Sequence, residues 1–387
     1  MEFESFSRNF IKLGSFERVF VGILKLRIYY LANGQSVHVQ KWVKYFADKS
    51  YDVHLATFNE PESIEGVKIR KLRYFSKLAY PFRIFAVKKA VKEIDPDILH
   101  AHYVSHYGVY GALSGFKPFV VTVWGSDVFI DPKKSMAKKY FVKYALKKAD
   151  LITTNSVSSI KAIVDFGVDE EKVKLIVHGV DLKLFHPVEN SEEFKKELCI
   201  PQNYQVVIST RNLKPVYDIG TLIKAIPYVI DKCPNTYFLI VGDGILRRQL
   251  EELACKLGVA KNVRFVGSVS NRDMPKFLES SDVFVSTSLS DTRSVSLLEA
   301  MACALPAVVT DLDGNRECVK DGVNGFLFPR GNFRELAEKI VYLLREKDIK
   351  RKFGVVNRKI VEKKADYKKE MSKMEKLYKE LIEAYKV

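Results

Sequence analysis

The sequence predicts an α/β protein built from two parallel sheets, and three observations support that prediction. Short β-rich stretches alternate with helical periodicity along the chain, which is typical of parallel strands covered by helices on both faces. The alternation occurs in two successive runs, separated by the polar, proline-containing stretch LFHPVENSEEFKKELCIPQN. A length of 387 residues also exceeds what one hydrophobic core usually supports. We therefore expect two domains of the same class.

The predicted strands are short and rich in β-branched and aromatic residues. In the first half they are LRIYYLA, YDVHLATF, VKIRKLRYF, DILHAHY, FVVTVWG, LITTNS and VKLIVHGV. In the second half they are YQVVIST, YFLIVGDG, VRFVGSV, DVFVSTS, AVVTD and GFLF. Helical stretches such as VQKWVKYFADK, ILRRQLEELACKLG and NFRELAEKIVYLLREK lie between them. Because ligands of open parallel sheets bind beyond the carboxyl ends of the strands, functional residues are expected in the loops that follow them.

Composition narrows the class of partner. The chain has 63 basic and 47 acidic residues, a net charge of +16, which favours an anionic partner such as nucleic acid, a phosphorylated metabolite or a lipid surface. None of the five cysteines forms a CxxC pair, so neither a zinc site nor a disulfide framework is indicated, and a reducing cytoplasm is expected. Neither GxGxxG nor GxxxxGK[ST] is present, which disfavours dinucleotide-binding and P-loop chemistry.

The sequence also allows predictions for the two ends of the chain. Residues 1–24 form an N-terminal extension whose apolar run is too short to span a bilayer and lacks the layout of a signal peptide. An extra helix, a membrane-surface segment and an upstream start codon remain open for it. Near the C-terminus, apolar residues at steps of four and three predict a one-sided helix that packs on its own chain or forms a coiled-coil dimer. The stripe consists of Tyr367, Met371, Met374, Tyr378, Leu381 and Tyr385.

The stretch DTRSVSLLEAMACALPAVVTD begins with a loop that holds Asp291 and continues into a predicted helix that presents Glu299. A structural interpretation is available, because Ser296 and Glu299 have the spacing of a capping box and the apolar residues fit a face packed on a sheet. A carboxylate near a helix N-terminus is also electrostatically favourable. Taken alone, this stretch favours the structural interpretation.

Three longer blocks of sequence favour a functional interpretation of this stretch instead. They are YFLIVGDGILRRQLEELACKLGVAKNVRFVGSVSNRDMPKFLESSDVFVSTS, SVSLLEAMACALPAVVTDLDGNRECVKDGVNGFLF and HGVDLKLFHP. In their order and spacing the chain resembles the retaining, family 4-type glycosyltransferases of the GT-B fold, from about Leu26 to the C-terminus. The resemblance implies two Rossmann-like domains with parallel sheets facing an inter-domain cleft. The expected domains are an acceptor-side domain at 25–190, a nucleotide-sugar-binding domain at 201–365, and a C-terminal helix at 366–387 that packs back on the N-terminal domain.

The resemblance implies a donor site around the stretch quoted above. Its paired acids fall on Asp291 and Glu299, with Glu299 accepting hydrogen bonds from the ribose and Asp291 from the donated sugar. An ionised carboxylate only accepts hydrogen bonds, which suits hydroxyl recognition. Between the acids, Ser294, Val295 and Ser296 offer backbone N–H groups at a helix start to the diphosphate. On this view the stretch binds ligand as well as capping a helix.

The family's basic pair maps first to Arg211, in the loop TRNL directly after an apolar strand. Its second cation, a lysine before a glycine, is missing from KPVYDIG. Lys214 could reach the phosphate instead, or Tyr217 could donate a single hydroxyl, and Lys214 is favoured slightly. Gly242 and Gly267 complete the donor-binding set, the latter in the loop VGSVS, through whose backbone the family recognises its base.

The first domain departs from the family pattern too. Trp124 in VWGSD stands where the family often has histidine, and a buried anchor is the equally weighted alternative. Asp127 is a predicted catalytic residue that hydrogen-bonds the acceptor or orients a loop. Gly34 lets the first loop approach substrate or makes a simple tight turn. Three clustered histidines are interpreted as mostly structural, with no metal implied: His100, His102 and His106.

The resemblance implies that a sugar moves from a nucleotide-diphosphate sugar to a hydroxyl acceptor with retained anomeric configuration, without cofactor or metal. The acceptor is a glycan, a lipid-linked molecule or a small molecule. In that mechanism Arg211 and Asp291 act by positioning and charge stabilisation rather than as nucleophiles. The departures from the pattern leave a rival, a protein that binds sugar nucleotides but has lost turnover.

Net charge suggests a rival from another class, a nucleic-acid-binding protein. Against it, the lysines of DPKKSMAKKYFVKYALKKAD alternate with a helical apolar face and no base-reading motif accompanies them, so a solvated face is favoured. A basic first domain would instead attract anionic lipid or a lipid-diphosphate acceptor. The expected location is the cytoplasm, with peripheral attachment to the inner face of the cell membrane as a further expectation.

Overall fold

The computed structural model of the chain describes residues 26–72, 82–188 and 192–386. The predicted N-terminal extension lies outside these ranges, and so does the end of the predicted strand VKIRKLRYF. Within them, the predicted alternation of strands and helices forms two parallel sheets, so the α/β prediction is confirmed.

The first sheet has the strand order β3-β2-β1-β4-β5-β6-β7, and every predicted strand of the first half is present in it. Its winding reverses at β1, which pairs with β2 on one side and β4 on the other. The strands are β1 Arg27–Leu31, β2 Asp52–Thr57, β3 Val67–Lys71, β4 Ile98–His102, β5 Phe119–Val123, β6 Leu151–Thr154 and β7 Val173–Leu175.

The second sheet has the order β10-β9-β8-β11-β12-β13 and contains every predicted strand of the second half. Its winding reverses at β8, which pairs with β9 and β11. The strands are β8 Gln205–Ser209, β9 Thr236–Val241, β10 Val263–Gly267, β11 Val283–Ser286, β12 Ala307–Thr310 and β13 Gly325–Phe328.

Helices connect the strands and cover the sheets. They are α1 Val37–Asp48, α2 Arg83–Ile94, α3 Val109–Ser114, α4 Ser126–Phe129, α5 Met136–Lys148, α6 Val157–Val164, α7 Glu192–Glu197, α8 Ile219–Lys232, α9 Arg247–Lys256, α10 Met274–Glu279, α11 Val295–Ala302, α12 Asp313–Arg316, α13 Phe333–Arg345, α14 Lys347–Lys364 and α15 Tyr367–Lys386. No helix within the described ranges is both long enough and apolar enough to cross a lipid bilayer.

Side-chain alternation explains why both faces of the second sheet are buried. Along β8, Val206 and Ile208 pack into one core together with Leu297 of α11. Val207, between them, points to the opposite face and packs with Ile223 of α8. A strand of a parallel sheet is therefore apolar at consecutive positions, which is why YQVVIST could be recognised as a buried strand.

The described chain forms two compact units. The first contains the described residues up to Thr153, Ile163–Lys174 and the residues from Glu375 onward, and the second contains Thr154–Ala162 and Leu175–Met374. The sequence had placed the stretch 175–188 in the N-terminal domain. Its apolar side chains instead pack in the core of the second unit, namely Val177, Val180 and Phe185.

The apolar stripe of α15 is buried along most of its length. Met371, Met374 and Tyr378 are fully buried, and Ile382 continues the stripe, whereas Tyr385 is 48% exposed. The predicted place of Tyr385 in the stripe is therefore wrong, because a helical period of 3.6 residues brings Ile382 to the buried face one turn after Tyr378. The Tyr378 hydroxyl lies 3.1 Å from the Tyr30 hydroxyl, within the first unit.

Candidate functional site

The reversal at β8 defines the edge of the second sheet where a ligand is expected. The loop after β8 contains Arg211, and the loop after the neighbouring strand β11 contains Asp291. Since β8 and β11 are adjacent and parallel, their carboxyl ends lie at the same edge. The Arg211 guanidinium and the Asp291 carboxylate form an ion pair there.

Arg211 is the centre of a hydrogen-bond network. Its Nη1 donates to Ser294 Oγ at 2.6 Å and to Ser296 Oγ at 2.8 Å, and its Nη2 donates to the Asp291 carboxylate. The residue is 9% exposed, and its Nε is buried without a hydrogen-bond partner. The structure therefore brings together three of the predicted elements: the arginine, the first acid and the serines of the helix start.

The residues proposed to replace the missing lysine are placed differently from each other. The Tyr217 ring lies beneath the Arg211 guanidinium, 4.3 Å from ring centroid to the guanidinium carbon, which is a cation–π contact. Lys214 is exposed at the start of the turn Pro215–Tyr217. The stacking role of Tyr217 was not predicted, and the phosphate contact of Lys214 stays a prediction.

Asp291 sits in a strongly desolvated position. Its Oδ1 accepts from the Thr292 backbone N–H at 3.0 Å, and its side chain is 15% exposed. Burial raises the pKa of Asp291 above its usual value, and the Arg211 guanidinium opposes that rise. The charged form of this carboxylate therefore depends on the neighbouring cation.

Helix α11 begins two residues earlier than the capping-box spacing predicted. Ser294 is the N-cap, and its Oγ accepts from the Leu297 backbone N–H at 3.4 Å. The predicted capping box of Ser296 and Glu299 is therefore wrong. The Ser296 hydroxyl is held by Arg211 and lies 2.9 Å from Ser294 Oγ, a tertiary arrangement that local spacing cannot reveal. The backbone N–H groups of Val295 and Ser296 belong to the first turn of α11.

Glu299 lies within α11 and is 8% exposed. Its Oε1 accepts a hydrogen bond from Asn271 Nδ2 at 3.2 Å. Sequence reasoning missed Asn271, although it directly follows the loop VGSVS at the carboxyl end of β10. Its position at the same edge of the sheet was the signal that could have found it.

Gly242 and Gly267 shape this edge through their backbones. Gly242 has a φ of +143°, and a Cβ there would lie 2.5 Å from the Arg211 carbonyl oxygen. Its N–H donates to the Gly267 carbonyl at 2.8 Å. Only glycine at 242 lets the loop after β9 approach the loop that holds Arg211.

A second ion pair, which the sequence did not predict, lies next to this network. Arg293 Nη2 donates to Glu317 Oε2 at 2.7 Å, with the two side chains 9% and 14% exposed. The Glu317 carboxylate also accepts from the backbone N–H groups of Val157 at 3.1 Å and Ser158 at 3.0 Å. Glu317 therefore caps the start of α6 while holding the loop that contains Arg293.

At the carboxyl edge of the first sheet, an acidic side chain is held by backbone N–H groups instead of by another side chain. Asp127 is fully buried, and its carboxylate accepts from the backbone N–H groups of Val104 at 2.8 Å, Gly125 at 2.8 Å and Trp124 at 3.0 Å. Burial raises the pKa of Asp127 to about 6, and these amides oppose the rise. With both oxygens held by backbone groups, the geometry favours the loop-orienting alternative for Asp127.

Trp124 lies among aromatic neighbours, with ring centroids 5.6 Å from His38 and 5.9 Å from His102. Gly34 donates its N–H to Thr57 Oγ1 at 3.3 Å. A Cβ at Gly34 would make an ordinary contact of 3.5 Å with Thr57 Cγ2, so packing does not demand glycine there. Trp124 is half-buried, so both alternatives for it, like the approach of substrate to Gly34, stay predictions.

The histidines of this edge make contacts that are consistent with the structural interpretation. His100 Nε2 lies 2.7 Å from Thr122 Oγ1, its Nδ1 contacts the Tyr378 hydroxyl, and burial lowers its pKa to about 3. Burial likewise lowers the pKa of His102 well below its usual value, and that of His106 to about 4. Among the described residues, no three His, Cys, Asp or Glu side chains are grouped so that they could hold a metal ion.

Comparison with known proteins identifies the family and the fold of the chain. Residues 27–156 match the glycosyl transferase 4-like family, and residues 190–359 match the glycosyl transferases group 1. Over 373 residues the chain is 27% identical to an uncharacterized glycosyltransferase of Methanocaldococcus jannaschii, covering 94% of this chain and 99% of that protein. It is 23% identical over 381 residues to N-acetyl-alpha-D-glucosaminyl L-malate synthase of Bacillus anthracis, covering 93% and 98%.

The fold is similar to that of Anabaena HepE crystallised with UDP, with a TM-score of 0.81 at 20% identity, covering 92% of this chain and 100% of that chain. HepE crystallised with UDP-glucose gives a TM-score of 0.80 at 21% identity, covering the same shares. With two parallel sheets of this topology, the fold is GT-B, as predicted. The chain belongs to the glycosyl transferases group 1 and is a glycosyltransferase of the family 4 type.

Proposed function

We propose that the protein transfers a sugar from a nucleotide-diphosphate sugar to an acceptor hydroxyl, with retention of anomeric configuration and without a bound metal ion. The observation that supports this most is the buried network of Arg211, Asp291, Ser294 and Ser296 at the carboxyl edge of the second sheet. A guanidinium and a helix N-terminus converge there, and both favour a pyrophosphate.

In this proposal Arg211 and the N–H groups at the start of α11 receive the diphosphate. The unpartnered Nε of Arg211 supplies a further donor to a phosphate oxygen. When the bond to the sugar breaks, negative charge develops on the departing diphosphate, and fixed donors in a water-poor site stabilise that charge without reorganising. These groups take the place that a metal ion holds in other phosphate sites.

The two acids recognise hydroxyl groups on either side of the diphosphate. Glu299, held by Asn271, accepts hydrogen bonds from the ribose, and Asp291, held by Arg211, accepts them from the donated sugar. Binding of the diphosphate draws Arg211 away from Asp291 and frees carboxylate lone pairs for the sugar. The Arg211–Asp291 pair therefore holds both side chains in place before the ligand binds.

The transfer step needs no protein nucleophile. The acceptor oxygen forms a bond to the anomeric carbon on the face from which the diphosphate leaves, the bond from that carbon to the phosphate oxygen breaks, and the departing phosphate oxygen takes the acceptor proton. Asp127 contributes by fixing the loop that presents Trp124 on the acceptor side, since its carboxylate holds three backbone N–H groups there.

The comparisons support a uridine nucleotide as the first donor to test, because HepE was crystallised with UDP and with UDP-glucose. The relative that makes a glucosaminyl malate supports a small hydroxy-acid acceptor. A lipid-linked acceptor at an anionic membrane surface is the alternative that the net charge of +16 favours.

The test is a transfer assay with UDP-, GDP- and ADP-sugars and a panel of hydroxyl acceptors, after treatment with a chelator. We expect release of nucleoside diphosphate and a product whose anomeric coupling in NMR matches that of the donor. A product of inverted configuration would refute the retaining mechanism. Activity that is lost with the chelator and restored by a divalent ion would refute the metal-independent one.

A further inference from the structure

Helix α5 of the first unit exposes apolar side chains that its sequence pattern assigned to a buried face. Val142, Ala145 and Leu146 are buried against the unit. Met136 and Tyr140, however, are 80% and 66% exposed, and Phe141 is 43% exposed. Large apolar side chains grouped on one exposed stretch indicate an interaction surface rather than a solvated face.

The same stretch is strongly basic. The helix sequence MAKKYFVKYALKK contains no acidic residue. Its lysines and those just before it are exposed, and one of them, Lys134, is paired with Asp131 at 2.5 Å. The other exposed lysines of this stretch are Lys133, Lys138, Lys139, Lys143, Lys147 and Lys148.

We propose that this outer face of α5 docks the first unit on an anionic lipid surface. Met136, Tyr140 and Phe141 enter the boundary between headgroups and acyl chains, where amphipathic aromatic rings are favoured. The flanking lysines contact headgroup phosphates, and each cation near an anionic leaflet adds to the attraction.

A second exposed apolar pair belongs to the same unit. Phe82 and Phe85, at the start of α2, are each 65% exposed, and their rings stack with centroids 6.2 Å apart. Exposed lysines follow them at Lys88 and Lys89. Helix α3 contacts both α2 and α5, so the two surfaces lie on helices that share a neighbour.

The chemistry of the face favours a membrane over other anionic or apolar partners. A second copy of the chain would bring two lysine-rich faces together and would be repelled. A nucleic acid would attract the lysines and could stack on Tyr140, but it offers no apolar environment to Met136 or Phe85. A lipid surface satisfies both the charge and the apolar side chains.

The inference adds a lipid surface as a partner to the proposed function. Because vesicle binding requires no sugar donor, the inference and the proposed function can be refuted separately. The test is co-sedimentation of the full chain with phosphatidylcholine vesicles and with phosphatidylcholine–phosphatidylglycerol vesicles, at low and high salt. We expect binding only when phosphatidylglycerol is present, and weaker binding at high salt.

Two double variants separate the apolar and charged parts of the face. Tyr140→Ser with Phe141→Ser, and Lys138→Glu with Lys139→Glu, should each lose binding. The lysine variant should bind at least about 25-fold more weakly, since each lysine near an anionic surface contributes about a factor of five. Matched controls on α14, Val355→Ser and Lys352→Glu with Lys359→Glu, change exposed residues of the second unit and should bind like the unaltered protein.

Thermal unfolding serves as an independent check on folding. All these variants should keep the circular-dichroism spectrum and the unfolding temperature of the unaltered protein. Wild-type protein that does not bind the phosphatidylglycerol vesicles, or double variants that bind like their controls, would overturn the inference. Binding of an RNA oligonucleotide that survives loss of Tyr140 and Phe141 and exceeds vesicle binding would overturn it as well.

Discussion

The two sheets have the same central order, β2-β1-β4 in one and β9-β8-β11 in the other, yet their carboxyl edges differ in chemistry. At the second edge, Arg211 and Asp291 hold each other through side chains. At the first edge, the carboxylate of Asp127 is held by backbone N–H groups. Side-chain partners can be exchanged for those of a ligand, whereas backbone partners can be released only by unfolding a loop. The second edge is therefore suited to ionic recognition, and the first to holding a loop in place.

The largest expected effect comes from removing the cation of the second edge. Arg211→Ala should lower kcat about 100- to 1,000-fold, the usual cost of losing one donor to charge that develops in the transition state. Initial rates of nucleoside diphosphate release measure this effect. Arg211→Lys should recover part of the rate, because a lysine keeps the charge but cannot hold three partners in one plane.

The matched control for Arg211 is Arg248→Ala, which removes a guanidinium that is 89% exposed on α9. It should leave turnover unchanged. Near-normal turnover by a folded Arg211→Ala protein would contradict the proposed ionic role of the second edge. It would also contradict the difference proposed between the two edges.

Changes at the first edge should affect the free energy of unfolding rather than the catalytic rate. Folding raises the pKa of Asp127 from 3.8 to about 6, so the folded state favours the protonated carboxyl. The contribution of Asp127 to the free energy of unfolding should therefore fall by about 3 kcal/mol as the pH rises from about 4 to about 6, and level off above that range. Denaturant unfolding of the wild type and of Asp127→Asn across this range measures the difference.

The fall should be absent from Asp127→Asn, whose side chain does not ionise. Its affinity for UDP, measured by calorimetry above pH 6, should match that of the wild type. If the two proteins showed the same pH dependence, the buried carboxyl would not be the titrating group. A large loss of UDP affinity would give the first edge a part in donor binding.

Two neighbouring ion pairs of the second unit sharpen the comparison further. Arg293 and Glu317 resemble Arg211 and Asp291 in burial, but Glu317 also caps α6 through backbone N–H groups. Glu317→Gln should lower the free energy of unfolding by about 2 kcal/mol, because Arg293 loses its charged partner. UDP affinity of the folded protein should not change. Thermal and denaturant unfolding measure the loss of stability. The control is Glu338→Gln, which changes an exposed glutamate. Loss of UDP affinity without loss of stability would show that this ion pair acts in donor binding instead.

The smallest effects should distinguish the two acids of the donor site. Asp291→Asn should weaken UDP-sugar binding about tenfold without weakening UDP binding, because its proposed partner is the donated sugar. Glu299→Gln should weaken both ligands about tenfold, because its proposed partner is the ribose. Titration calorimetry with the two ligands measures this. Equal weakening of UDP by both variants would contradict the separate roles.

Much of the fold could be predicted because its signals are local. Each predicted strand that lies within the described residues is present, since β-rich runs between helical stretches mark buried parallel strands. The resemblance to the glycosyltransferase family implied that Arg211 and Asp291 lie at one site, but their ion pair was not predicted. What local spacing predicted wrongly was the start of α11, where Ser294 and not Ser296 is the N-cap.

The contacts that sequence reasoning missed are long-range. Asn271 reaches Glu299 from 28 residues away, and Glu317 reaches Ser158 from 159 residues away. The exposure of Tyr140 was missed for a related reason, since apolar periodicity shows that a helix has an apolar face but not how wide a face its neighbours cover.

By itself, the sequence determined the α/β class and the alternation of its strands and helices, because both depend on local pattern, and its resemblance to a known family pointed to the loops that hold Arg211 and Asp291. Only the tertiary structure decided that Asp127 is held by backbone N–H groups while Asp291 is held by a guanidinium. The physical reason is that the environment of a carboxylate depends on which distant groups exclude water from it, and that follows from packing rather than from spacing along the chain.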